Sequence, residues 1–130
     1  MPRSIVRAII ERAPKNREVC GFLLGFFRDA LVEVIGYKEV ENLSNNPYEF
    51  LMDPRGVLKA YEEARSRGTD LVGLYHTHPG FLATPSHKDL KGMELWPIPW
   101  LIIGLLSNDT RAWILCEGLL KELRIRWIQS

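Results

Sequence analysis

The nineteen residues Leu71 to Asp89, LVGLYHTHPGFLATPSHKD, decide how the rest of the chain is read. Leu71 to His78 is apolar and then carries two histidines in alternation. Such a run predicts a strand. Pro79 and Gly80 end it, and a short loop leads to Pro85. Ser86, with Asp89 three residues on, has the spacing of a helix N-cap and its capping box, so a short helix is expected from Ser86 to about Leu95. In a strand, residues two apart face one side, so His76 and His78 present both imidazoles to one point while Thr77 is directed away.

Working outward, Asp53-Pro54 is a strong helix start upstream, with Val57, Leu58, Tyr61 and Ala64 as its apolar stripe and Gly68 as its stop. Before it, Val19 to Phe27 reads as a buried strand turning at Arg28-Asp29 into a second strand, Leu31 to Val40. Asn42 to Pro47 is a polar loop, and Glu49 to Met52 is a short strand candidate. A first helix is expected from an N-cap at Ser4, with Ile5, Val6, Ile9 and Ile10 on one face and Pro14 as terminator. Downstream, Trp100 to Leu106, Arg111 to Cys116 and Leu123 to Ile128 read as strands, with Asn108-Asp109 turning the first pair. This order of elements predicts a single α/β domain over residues 1–130, with a mixed, largely antiparallel sheet flanked by helices.

Composition bounds the function. Seventeen Lys and Arg against sixteen Asp and Glu give a net charge of +1, so no bulk attraction to nucleic acid follows. The longest apolar stretch, Leu95 to Leu106, is broken by Pro97 and Pro99 and is too short for a membrane span. Arg3, Arg7 and Glu11 interrupt the N-terminal segment, unlike a secretory signal, and a soluble cytoplasmic protein is expected. Cys20 and Cys116 form no C-x-x-C pair; free thiols fit a reducing compartment better than a disulfide. The four tryptophans, at 96, 100, 113 and 127, are expected to fill the core or the subunit interface of a homodimer.

Two histidines and a carboxylate make a known zinc set that leaves a fourth position for water. Each residue also has a plain structural explanation. An H-x-H pair on a strand is often incidental, Ser86 and Asp89 serve as caps, and Glu18 is an acid before a strand. A cysteine hydrolase built on Cys20 and His78 lacks a positive neighbour for the thiol. A cytidine deaminase needs H-x-E and P-C-x-x-C, and neither occurs.

Taken together, the residues resemble the JAMM signature of MPN+ zinc metalloproteases. The resemblance rests on His76-x-His78-Pro79, seven residues to Ser86 and two more to Asp89, with Glu18-Val19-Cys20-Gly21-Phe22-Leu23-Leu24-Gly25 upstream. Asn42, Phe50, Met52, Asp53 and Pro54 extend it, and it covers roughly residues 4 to 116. It implies the family's sandwich, related to the cytidine deaminase architecture. It also implies one zinc ion per chain on His76, His78 and Asp89, Glu18 as general acid/base, and Ser86 as an oxyanion donor. The chemistry implied is amide hydrolysis after the C-terminal Gly-Gly of a ubiquitin-like protein. The alternatives are trimming of a sulfur-carrier tail, or a non-catalytic scaffold of the kind found among relatives that lack the ligands. The short Pro79–Pro85 loop favours a small ubiquitin-like substrate, and Phe81 to Thr84 or the region of Asn45 is expected to line its groove. His87 is expected to point away from the metal.

Overall fold

The computed structural model describes residues 1–80 and 82–129. Three helices, α1 (Arg3–Arg12), α2 (Pro54–Ser66) and α3 (His87–Leu95), accompany six strands: β1 (Cys20–Arg28), β2 (Leu31–Val40), β3 (Asp70–His78), β4 (Trp100–Gly104), β5 (Asp109–Cys116) and β6 (Leu119–Leu123). The strands form one sheet in the order β2-β1-β3-β4-β5-β6. Only β3 and β4 run parallel, with α3 in the crossover between them. The mixed, largely antiparallel sheet is the one expected. Among the described residues, no helix is long and apolar enough to cross a membrane.

Alternation along the strands splits the core into two layers. Leu23, Tyr75, Leu101 and Ile103 pack with Ile5, Val6 and Ile9 of α1 on one face. Phe22, Leu74 and Trp100 pack with Ala60 of α2 and Met93 of α3 on the other. The histidines of β3 follow Leu74 onto this second face. Gly92 lets α3 lie close against β4: a methyl there would sit 2.8 Å from the Trp100 ring. Alanine normally favours a helix over glycine, by roughly 1 kcal/mol. Gly92→Ala is nevertheless expected to lower the thermal midpoint, because α3 must move off Trp100; a rise in the midpoint would contradict this packing.

Beyond shifts of one or two residues at strand ends, three elements differ from the sequence reading. The first helix begins at Arg3 rather than after a cap at Ser4: Pro2 occupies the cap position and makes no side-chain cap bond. A tertiary tie sets the start instead, since the Arg3 N–H donates to the Ile128 carbonyl at 3.0 Å. Glu49 to Met52 forms no strand; only an Asn42–Met52 bridge is present, and side-chain bonds from Asn42 take over the main-chain groups of the loop. The last strand is Leu119–Leu123 instead of Leu123 to Ile128. Glu117 and Gly118 both adopt positive φ, 50° and 79°, a tight hairpin turn that starts the strand early. Cys20 and Cys116 are free, the first buried and the second exposed.

Candidate metal centre

The C-terminal end of β3 carries His76, fully buried, and His78, which is largely buried. β1 pairs antiparallel with β3 and sets Cys20 opposite His76, so two residues further back along the same line Glu18 lies opposite His78. The pairing continues beyond Cys20: Thr77 N–H donates to the Val19 carbonyl and Val19 N–H to Thr77 Oγ1, both at 2.9 Å. Thr77 does point away from the histidines, and its hydroxyl clips the segment that carries Glu18. Asp89 comes from the first turn of α3, where the expected capping box forms. Ser86 Oγ accepts from Asp89 N–H at 3.1 Å, and Ser86 N–H donates to Asp89 Oδ2 at 2.9 Å.

These elements converge. His76 Nε2, His78 Nε2 and Asp89 Oδ2 form a triangle with edges of 3.0, 3.0 and 3.1 Å. Glu18 Oε2 stands 4.0 Å from His78 Nε2, outside the triangle. One ligand atom from each of the four residues lies within 4.8 Å of the others. Ser86 borders the cluster through Asp89, whereas His87 is exposed on α3 and is not part of it.

The donor set fits a divalent cation. His78 Nδ1 lies 2.8 Å from the Leu82 carbonyl, which can only accept, so Nδ1 carries the hydrogen and neutral His78 has its lone pair on Nε2. That lone pair then faces a carboxylate oxygen and a second imidazole nitrogen. Three electron-rich atoms at this spacing need a proton or a metal ion among them, and all three can be reached from one point at the roughly 2.0–2.1 Å of zinc–nitrogen bonds. Glu18 Oε1 and His76 Nδ1 are buried without a hydrogen-bond partner. Aromatic packing orients the His76 ring instead, with Phe50 at 4.7 Å and Trp100 at 5.6 Å between centroids.

Charge follows position. Burial holds the His76 pKa down, against the pull of Asp89. Burial also opposes ionisation of His78 and Asp89 but is outweighed: contact with Asp89 raises His78, and His76 first, then His78 and the Ser86 N–H, hold Asp89 down. Burial pushes Glu18 up to about 8, with His78 acting in the opposite direction. Cys20, its Sγ directed at the Val40 carbonyl, is pushed up to about 12 by burial and remains a thiol, which removes the cysteine-hydrolase reading.

The raised pKa of Glu18 predicts a slope in stability. Native Glu18 keeps a proton that the unfolded chain releases from its ordinary value of 4.5 upward, until about 8. Stability of the chelator-treated protein should therefore fall by a few kcal/mol across that window, at about 1.4 kcal/mol for each step of one in pH. Glu18→Gln should flatten the slope in urea titrations at pH 5 and 8; an unchanged slope would contradict it.

The chain is similar to known proteins. The family described as prokaryotic homologs of the JAB domain matches residues 2–116. The chain belongs to this JAB-domain family. A desampylase of Pyrococcus furiosus is 40% identical to this JAB domain over 118 residues, 90% of this chain and 81% of its own. A probable TtuB-protein conjugate cleaving protease of Thermus thermophilus is 36% identical over 90 residues, 64% of this chain and 59% of its own. A Desulfitobacterium hafniense protein solved in solution superposes with a TM-score of 0.77 at 25% identity, covering all of this chain and 94% of the other.

Sequence reading passed over two contributors to the JAB-domain site and placed a third, Asn42, in the resemblance without a role. The Leu82 carbonyl that fixes the His78 tautomer has no sequence signal. Trp113 Nε1 donates to the Ala83 carbonyl at 2.8 Å and holds the loop carrying it, a role outside the expected core filling. Asn42, at the head of a turn-rich loop, is an Asx-turn former; its Oδ1 accepts from Ser44 N–H at 2.9 Å. Of the residues expected to line a substrate groove, Phe81 lies outside the described residues. Asn45 is exposed, and Leu82 and Thr84 are exposed on either side of buried Ala83.

Proposed function

We propose that this JAB domain, acting as one unit over residues 1–130, is a zinc-dependent isopeptidase. Its substrate is the amide that follows the C-terminal Gly-Gly of a ubiquitin-like protein. The observation that carries the proposal is the triangle of His76 Nε2, His78 Nε2 and Asp89 Oδ2, with the Glu18 carboxylate beside it and not within it. The desampylase and the conjugate-cleaving protease among its relatives supply the substrate class.

His76, His78 and Asp89 would hold the ion, one per chain. Zinc bound there supplies Lewis acidity and a water that loses its proton near neutral pH. Glu18, which a cation on the neighbouring residues would favour in its ionised form, would take a proton from the attacking water as the carbon–oxygen bond forms and return it to the lysine amine as the carbon–nitrogen bond breaks. Ser86 Oγ already accepts from Asp89 N–H, so its own hydrogen is available to the oxyanion developing on the carbonyl. Glycines at the cleaved end suit a crowded cleft, because they let main chain approach where a side chain would collide. A cation there competes with protons for the same His78 and Asp89 atoms, so affinity should fall in acid.

The test is cleavage of a ubiquitin-like protein joined through Gly-Gly to a lysine side chain, with and without chelator. Cleavage abolished by chelator and restored by zinc is expected. Cleavage that survives chelation would overturn the proposal. Release of a residue from the tail of a sulfur-carrier protein, with the lysine conjugate left intact, would redirect the same chemistry to tail trimming.

A further inference from the structure

Glu18 is held by its main chain and not by its carboxylate. Oε1 has no hydrogen-bond partner, and Oε2 stands 4.0 Å from His78 Nε2, beyond hydrogen-bond reach. The distance of the carboxylate from the triangle therefore depends on what fixes the backbone of residues 17 to 19. Thr77 secures one side, through Val19. Asn42, just past the end of β2, secures the other.

The Asn42 side chain uses its whole hydrogen-bonding capacity. Nδ2 donates to the Glu18 carbonyl at 2.9 Å and to the Glu49 carbonyl at 3.2 Å. Oδ1 accepts from Ser44 N–H and Leu51 N–H, each at 2.9 Å. The Asn42 carbonyl accepts in turn from the Arg17 guanidinium at 2.9 Å. The loop gathered in this way, residues 43–52, presents Phe50 to the His76 ring and pairs Glu49 with Lys88, the neighbour of Asp89. One side-chain amide thus joins the backbone of the acid/base residue to the loop that packs on a ligand ring.

We infer that Asn42 is a positioning residue: its side-chain amide sets the place of the Glu18 carboxylate relative to the His76–His78–Asp89 cluster. It touches neither substrate nor metal and acts through Glu18. The inference rests on the reading of Glu18 as the acid/base group.

Asn42→Ala should lower kcat about tenfold to a hundredfold, the usual cost of losing a supporting partner, while KM and bound zinc stay near wild type. Its effect should vanish in a Glu18→Ala background, because a residue that works through Glu18 has nothing left to position. A readout independent of turnover comes from deuterium uptake in the chelator-treated protein. Asn42→Ala should speed exchange in residues 17–19 and in the 43–52 loop. Asn42→Asp loses the donors to the Glu18 and Glu49 carbonyls but keeps the acceptor for Ser44 and Leu51, so the loop retains two of its three bonds and residues 17–19 should loosen more than the loop; it also serves if the alanine variant folds poorly. Wild-type kcat in Asn42→Ala, or an equal loss with and without Glu18, would overturn the inference alone. Full cleavage by Glu18→Ala would instead overturn the acid/base assignment beneath it.

Discussion

Glu18→Gln should retain a full complement of zinc and lose turnover by about 10²- to 10⁴-fold, the range for a positioned acid/base group. The carboxylate stands 4.0 Å from His78 Nε2, beside the ligand triangle, so exchanging it for an amide leaves all three proposed ligands in place. Glutamine matches glutamate in shape and keeps the buried site filled, so the loss cannot be assigned to a cavity. It cannot accept and return a proton at neutral pH. The measurement is single-turnover cleavage of a Gly-Gly–lysine conjugate, with metal content determined on the same sample. Loss of zinc together with turnover would make Glu18 a ligand, and retained turnover would remove it from the chemistry.

Asp89→Ala should have the opposite signature, losing metal and turnover together. Asp89 Oδ2 contacts both imidazoles and accepts the Ser86 N–H, so one oxygen serves cluster and helix start alike. Alanine leaves two imidazoles without their charged partner and removes half of the capping box. The helix-start component should cost about 1 kcal/mol. Asp89→Asn separates the two roles: it keeps an acceptor for Ser86 and loses the charge, so metal should be lost with little loss of thermal stability. His87→Ala, on the exposed side of the same helix, should behave as wild type in both assays. Stoichiometric zinc in Asp89→Ala would contradict the ligand assignment.

The parts of the site that were legible in the sequence are those set by short-range geometry. The period of two along β3 put His76 and His78 on one face. The spacing from Ser86 to Asp89 announced a capping box, which delivers the carboxylate. Glu18 could be tied to them only by resemblance, because its place depends on which residue of β1 faces which residue of β3. That register includes an irregularity between Leu23 and Leu24 that no local pattern displays. Asn42 was visible as a loop former, but its reach to Glu18 spans strands that are distant in sequence. The misplaced elements have separate origins, one long-range and two local. Side-chain bonds from Asn42 replaced a strand at residues 49–52, a contact with Ile128 replaced a cap at Ser4, and the Glu117-Gly118 turn moved the last strand forward.

The most direct test of a single-zinc isopeptidase is to titrate metal-stripped wild-type protein with zinc and follow cleavage of the Gly-Gly–lysine conjugate at each addition. Activity should rise in proportion to added zinc and break at one equivalent per chain. Cleavage by the stripped protein before any zinc is added, or a titration that restores none despite bound metal, would contradict the account.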